Sequence, residues 1–358
     1  MEPSEFEAHC KSEKSHKQAL EFTSFGDKAA LSGSDNSTRT AAARINPNDG
    51  ELDTLIVTKI YGDHGGSYHS MSLDRTGKSA PYDIDPSDKT NAMHSVLIYG
   101  EYLLSFLLNG PLCISKLGKN VYKGAHQINE DKCKHTHNGN NNNRNVQLEG
   151  DMLYFIDTNC HVVQYDLKEL LSPQGTVNPN YKPTVHKTVC EDLCVSPNNA
   201  AITVITSNGQ LSQLHNPSHT VDLQKLESGK LGTQYGTIET LGGYYVVASY
   251  NTATASIVYS VFSAQLAFLA FAAKHSPNQM VQNMLLYQRQ DTLHILAANE
   301  SNAVDILLFN DTKDKLKVHL IQSIAVGSHY LFGLVWRVES QEALLCGNPG
   351  VLKTLKLN

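Results

Sequence analysis

Short apolar runs rich in Val, Ile, Leu, Tyr and Phe, turn residues about every ten positions, and a hairpin that recurs seven times predict an all-β chain. The spacing of that hairpin predicts the architecture: a seven-bladed β-propeller with four-stranded antiparallel blades and an N-terminal strand that closes the last blade. With 358 residues the chain is long for one ordinary compact domain, and a repeat array accommodates that length.

The hairpins are TLIVTKIYGDHGGSYHSMSL, YLLSFLLNGPLCISKL, DMLYFIDTNCHVVQYDL, NAAITVITSNGQLSQLH, YYVVASYNTATASIVYSVF, DTLHILAANESNAVDILLF and EALLCGNPGVLKTLKL. Their turn centres fall near Gly66, Gly110, Asn159, Gly209, Thr252, Ser301 and Asn348, in steps of 44, 49, 50, 43, 49 and 47 residues. Two carry Asn-Gly, read as type I′ turns in which both central residues need φ > 0.

Each hairpin supplies strands b and c of a blade. Strand a precedes it, as in HSVLIYGE, NVQLEGD, VCEDLCVSPNN, YGTIETLGG, NMLLYQRQD and LFGLVWRVESQE, with a poorer version, AAARINPNDGE, before the first. An outer strand d follows in NVYKGAHQI, HTVDLQKL, LAFLAFAA and KVHLIQSI, whereas the first and third blades offer only weak candidates for it. The seventh lacks one altogether, and the unassigned segment QALEFTSF, Gln18 to Phe25, is expected to pair with VLKTLKL and cover that edge. Residues 1–17 read as a polar disordered tail, residues 18–358 as a single propeller, and residues 129–145 as an Asn-rich loop within it.

The run ASIVYSVFSAQLAFLAFAA, Ala255 to Ala273, has no charged side chain and comes close to the length of a membrane span. The repeat divides it into strand c, Ala255 to Phe262, a turn at Ser263-Ala264-Gln265, and outer strand d, Leu266 to Ala273. The Ala and Leu content of the last piece favours helix by propensity, so this is where the strand assignment is weakest.

Composition narrows the function classes. The net charge is −6, charged residues make up 18%, and only six of 29 basic residues are Arg, which argues against a nucleic-acid or anionic-membrane surface. Seven Cys without a CxxC pair suit a reducing compartment. The charged N-terminus, MEPSEFEAHCKSEKSHKQ, has no apolar core of a targeting signal, and the expectation is an intracellular, cytoplasmic protein.

At three places the repeat resembles the WD40 family. TNCHVVQYDL, Thr158 to Leu167, is similar to that family's turn and strand c, with Tyr165-Asp166 where Trp-Asp is usual. NAVDILLFND, Asn302 to Asp311, is similar but places Asn310 after Phe309, and VSPNN, Val195 to Asn199, resembles the Ser-Pro-Asp-Gly turn between strands a and b. The sole Trp is Trp336, and no Gly-His pair opens a blade, so the family's buttressing His-Asp arrangement is not carried over. Other seven-bladed propellers, lactonase-like ones included, share the architecture.

Motifs for chemistry are sparse. Cys133, His135 and His137 cluster in the Asn-rich loop at a spacing that matches no zinc pattern. Cys190 and Cys194 fall at an even strand spacing, which puts both on one face of a core strand. GNPGVLKT, Gly347 to Thr354, lacks the Gly spacing and following helix of a phosphate loop. Acidic pairs such as Asp83 and Asp85, or Glu130 and Asp131, read as solvated charges. No catalytic residue, metal or cofactor is therefore assigned, and no small-molecule ligand is predicted.

The expectation that follows is a non-catalytic protein-interaction scaffold, a subunit of a larger assembly that binds other proteins through a propeller face. Asn109, His161, Asn208, Asn251, Glu300 and Asn348, all in or beside b–c turns, are the candidate partner contacts. The alternative is a lactonase-like propeller enzyme with polar residues at the central channel, which a cluster of acidic, His and Arg groups with shifted proton affinities would favour.

Overall fold

The computed structural model describes residues 20–24, 36–45, 52–61, 68–73, 79–82, 93–107, 111–116, 119–127, 146–171, 176–196, 201–206, 208–223, 233–277, 281–289, 292–299, 303–312, 315–325, 330–337, 342–348 and 351–357. The tail, the Asn-rich loop with Cys133, His135 and His137, and the candidate contacts Asn109 and Glu300 lie outside these residues, as do Asp83, Asp85, Glu130 and Asp131.

In chain order the strands are β1 (Leu20–Ser24); β2 (Asn36–Ile45), β3 (Leu52–Tyr61), β4 (Tyr68–Leu73) and β5 (Ser79–Tyr82); β6 (Met93–Tyr99), β7 (Tyr102–Leu107), β8 (Pro111–Lys116) and β9 (Lys119–Gln127); β10 (Val146–Glu149), β11 (Met152–Ile156), β12 (Val162–Asp166) and β13 (Thr184–His186). There follow β14 (Cys190–Val195), β15 (Ile202–Thr206), β16 (Gln210–Gln213) and β17 (Asn216–Asp222); β18 (Thr233–Leu241), β19 (Tyr244–Asn251), β20 (Ser256–Ser263) and β21 (Phe268–His275); β22 (Val281–Arg289), β23 (Thr292–Asn299), β24 (Ala303–Thr312) and β25 (Lys315–Ala325); and β26 (Tyr330–Arg337), β27 (Glu342–Asn348) and β28 (Val351–Leu357). The short helix α1 (Leu167–Leu170) follows β12.

These strands form seven four-stranded antiparallel sheets. Six run in chain order, from β2-β3-β4-β5 to β22-β23-β24-β25, and the seventh is β1-β28-β27-β26. The N-terminal strand thus completes the last sheet, pairing Leu20 with Leu357 and Ser24 with Lys353, as the repeat predicts. The weakly signalled outer strands of the first and third sheets are β5 and β13. They were obscure because four and three residues show no alternation, and β5 carries Pro81, which only an edge strand tolerates.

Ala255–Ala273 resolves into β20, a turn and β21; the outer strand starts at Phe268 and not at Leu266, which with Ala267 belongs to the turn, and from Phe268 on the helix propensity is overridden by pairing with β20. No helix among the described residues is long and apolar enough to cross a membrane.

One feature recurs without a compositional mark. The first strand of six sheets carries a one-residue register shift, between Thr38 and Thr40, Met93 and Ser95, Cys190 and Asp192, Tyr235 and Thr237, Val281 and Asn283, and Leu331 and Gly333. Such bulges add local twist. The one in β14 also corrects an expectation. Cys190 pairs with Thr206 and Cys194 with Thr203, an odd step, so the two thiols face opposite sides of the sheet although both are fully buried.

Turn chemistry follows the backbone. The a–b hairpins use Gly100-Glu101 and Gly150-Asp151, where only the Gly has positive φ, the pattern of a type II′ turn. The Asn208-Gly209 turn is not type I′. Gly209 N–H bonds to Thr206 O at 2.9 Å, Gly209 has φ 76°, and Asn208 has no positive φ, so only the glycine takes the left-handed region.

The chain divides into two compact units, one holding residues 19–185 and 328–358, the other 186–327. In the first, a core joins β7 and β8 to β11, β12 and α1 through Phe106, Leu112, Phe155, Tyr165 and Leu170. In the second, one core joins β19, β20 and β21 to β22, β23 and β24 through Tyr259, Val261, Ile295 and Phe309. Another joins β14, β15 and β16 to β18, β19 and β20 through Cys194, Ile205, Tyr245 and Phe262. The sheet β18-β19-β20-β21 contributes to both cores of the second unit, so its inner strands are apolar on both faces, as in buried parallel sheets.

Candidate functional site

The b–c turns carry the predicted contacts, and a repeated device shapes them. In four of them, the residue opening the turn supplies a side-chain oxygen to the amides that follow. Asp157 Oδ1 accepts from Asn159 N at 2.9 Å and His161 N at 3.0 Å. Thr206 Oγ1 accepts from Gln210 N at 3.1 Å, and Asn251 Oδ1 from Ala253 N at 3.1 Å and Thr254 N at 3.0 Å. Asn299 Oδ1 accepts from Ala303 N at 3.4 Å. Short polar side chains compete well for local amides, which is why Asp, Asn and Thr hold this position.

The predicted contacts differ in placement. Asn208 is exposed and its Oδ1 accepts a hydrogen bond from the Thr206 hydroxyl, and His161 is half-buried. Asn251 is 1% exposed, because its carboxamide is turned inward to hold the turn, and the exposed residues there are Thr252 and Ala253. Asn348 ends β27, paired with Tyr330. GNPGVLKT accordingly spans the end of β27 and the start of β28, with no helix where a phosphate loop requires one.

Beneath these turns lie polar networks that sequence reading missed. His126 in β9 approaches buried Asp157, Nδ1 to Oδ2, at 3.6 Å, so a His–Asp pair does join neighbouring sheets although no Gly-His dipeptide marks it. Asp305 in β24 is fully buried and accepts four bonds. Tyr259 Oη at 2.8 Å and Asn299 Nδ2 at 3.0 Å donate to Oδ2; Lys274 Nζ and Ser323 Oγ, each at 2.6 Å, donate to Oδ1. Lys274 and Asp305 stand 31 residues apart, the separation of His126 and Asp157, and this recurrence of a basic residue on strand d before an acid in the next hairpin is the one signal that could have revealed both.

Lys274 Nζ also donates to Ser323 Oγ at 2.8 Å. A serine beside a lysine meets the distance condition for an activated nucleophile, but here the ammonium is bound to a carboxylate and the serine proton points to the same carboxylate. The arrangement is a clamp between sheets rather than a base and nucleophile.

Acidic groups also meet on the first strands of two sheets. Asp192 in β14 is 3% exposed; Oδ1 accepts from Leu193 N at 2.9 Å and Oδ2 from Ile238 N of β18 at 3.0 Å. Burial, together with the Asp192 charge, pushes the half-buried Glu239 carboxyl up to about 8. Burial first, then the Glu239 charge and then that of Asp192, raise the Cys194 thiol. In β22 and β23, burial drives His294 down to about 4 and Arg289 adds to it; its Nδ1 lies 2.8 Å from Tyr287 Oη. The shifts follow burial in sheets whose polar groups bond one another, and no group of three or more His, Cys, Asp or Glu is placed to hold a metal among the described residues.

The Tyr165-Asp166 pair also has structural work. Asp166 caps α1, its Oδ1 accepting from Glu169 N at 3.0 Å, and Tyr165 is buried against β9, where a Cβ on Gly124 would lie 3.0 Å from the phenol oxygen.

No family model matches the chain, and no curated protein matches it. Solved structures do. The C-terminal WD40 domain of Sif2 aligns at TM-score 0.53 with 12% identity, over 90% of this chain and 96% of that one. The WD40 propeller domain of Doa1 aligns at 0.55 with 11% identity, over 92% and 95%. YCF48 bound to D1 peptide aligns at 0.55 with 9% identity, over 97% and 100%. At these identities the likeness is one of fold: the chain has a β-propeller fold, similar to the WD40 domains of Sif2 and Doa1.

Proposed function

We propose that residues 18–358 act as one propeller and that the protein is a non-catalytic interaction scaffold, a subunit of a larger cytoplasmic assembly. The observation that carries this reading is the contrast between the polar networks and the turns. Asp157, Asp192 and Asp305 are buried and engaged in bonds that hold sheets and turns together, while Thr158, Asn159, Asn208, Thr252 and Ala253 are exposed on turns fixed from within. Short, pre-shaped turns recognise a partner with little ordering cost. Asn109, His161, Asn208, Glu300 and Asn348 would contact it directly, and Asn251 through the turn it shapes. WD40 propellers commonly bind proteins, and YCF48, of similar fold, is seen with a peptide, which supports the reading.

Affinity purification of the full chain with chemical crosslinking tests it. Stable protein partners should be recovered, with crosslinks concentrated on the b–c turns, and Asn208→Asp should reduce recovery. Recovery of no stable partner, or crosslinks unrelated to the turns, overturns the proposal.

A further inference from the structure

His186 and His215 both fall in the second unit, and their rings meet edge to face with centroids 5.4 Å apart and planes at 82°. Each is set on a fixed piece of backbone. His186 is the last residue of β13, and His215 lies in the short turn between β16 and β17. That turn is held at its base, where Gln213 pairs with Asn216 and Leu214 N–H bonds to Ile202 O at 2.9 Å. Rings placed by strand pairing and a tight turn need little ordering to act together.

The separation of the two rings suits two ligands on one ion. With a metal about 2.0–2.1 Å from each nitrogen and a near-tetrahedral angle between them, the ring centres stand about 5 Å apart. His215 is exposed, so its ring can turn about the Cβ–Cγ bond, which re-aims its nitrogens and leaves its centre nearly in place. A metal takes one nitrogen of each ring and leaves the other to a protein partner, the usual arrangement of ligating histidines. Burial first, and then His215, push the half-buried His186 down from its ordinary value, so its ring is neutral at pH 7, the form that ligates a metal.

We propose that His186 and His215 form a site for one divalent transition-metal ion of the zinc type, with water in its other positions. Imidazole nitrogens suit Zn2+, Cu2+ and Ni2+, whereas Mg2+ and Ca2+ take oxygen ligands. His219 of β17 turns to Gln213, its Nδ1 3.1 Å from Oε1, and no third His, Cys, Asp or Glu joins the pair among the described residues. Two protein ligands make an exchangeable site open to solvent, in contrast to a closed structural one. The site is separate from the b–c turns and independent of the scaffold reading.

Every protein in the test is the full chain carrying Cys133→Ala, His135→Ala and His137→Ala, so that the Asn-rich loop contributes no ligand. Zn2+ titrated by calorimetry should bind this reference protein saturably. His186→Ala and His215→Ala should each weaken binding at least tenfold, and the double variant should lose no more than the worse single. His215→Cys should restore binding, since a thiolate replaces the imidazole on the same turn. Cu2+ below one equivalent gives a readout that needs no comparison of affinities: nitrogen hyperfine coupling from two imidazoles in the reference protein and from one in His215→Ala. No saturable Zn2+ binding, unchanged affinity in either single variant, additive losses in the double variant, no rescue by His215→Cys, or the same nitrogen coupling in His215→Ala overturns the proposal.

Discussion

Asp192 joins two sheets by accepting, at 3.0 Å, the backbone N–H of Ile238, the neighbour of Glu239. A carboxylate in that position satisfies an amide of the next sheet's first strand, and it sets the charge that Glu239 feels.

The first prediction concerns pH. An ordinary Glu carboxyl titrates at 4.5, and burial with the Asp192 charge raises Glu239 to about 8. Between those values the folded protein holds a proton that the unfolded chain has released, so stability falls as pH rises from about 4.5 through about 8 and levels off above. Such a rise is worth at most roughly 5 kcal/mol, and because Glu239 keeps part of its exposure to water the loss should be about 2–4 kcal/mol. Urea melts across this range should show it, and Glu239→Gln should remove most of the slope. An unchanged slope in the variant would disprove the assignment.

The second prediction concerns the clamp on Asp305. Asp305→Ala leaves Lys274 without its carboxylate and takes the acceptor from the buried Tyr259 hydroxyl and Asn299 amide, and should cost about 3–5 kcal/mol. Tyr259→Phe removes one hydrogen bond and should cost about 1 kcal/mol. If the groups act as a unit, the double variant loses less than the sum, which a denaturant cycle measures.

The third prediction concerns Asp157, which holds a turn with one oxygen and faces His126 with the other. Asp157→Asn keeps the turn acceptor and should cost less than Asp157→Ala, for which about 2 kcal/mol is expected. Equal losses in the two variants would show that the His126 contact, and not the turn, carries the stabilisation.

These residues also mark how far the sequence could be read. Alternation and turn spacing located the hairpins because side-chain period and turn chemistry are local properties, and the same logic paired Gln18–Phe25 with the last strand. The bulges were hidden because the inserted residues, Arg39, His94, Glu191, Gly236, Gln282 and Phe332, share no chemistry. The clamp was hidden because Lys274 and Asp305 meet only when two sheets pack. Asn251 was placed outward because a polar residue in a turn usually is; its inward turn depends on two amides that no composition reveals.

The last prediction separates backbone strain from packing at two positions in the fifth sheet. Ala255 has φ 50° and Leu266 φ 60°, the left-handed region that costs a side-chain-bearing residue about 1–2 kcal/mol. At half-buried Ala255 a glycine removes the strain and loses one methyl, so Ala255→Gly should stabilise by about 0.5–1 kcal/mol. Leu266 ends a turn in which its N–H bonds to Ser263 O at 2.9 Å, and its side chain is 1% exposed in the core with Cys194, Ile205 and Phe262. Leu266→Gly relieves the same strain but empties that site, a loss of about 3–5 kcal/mol, so the variant should be less stable by about 1–4 kcal/mol. Opposite signs for the two glycines in thermal melts would show that Leu266 is kept in a strained backbone by what it buries. Two gains would mean that the strain outweighs the packing.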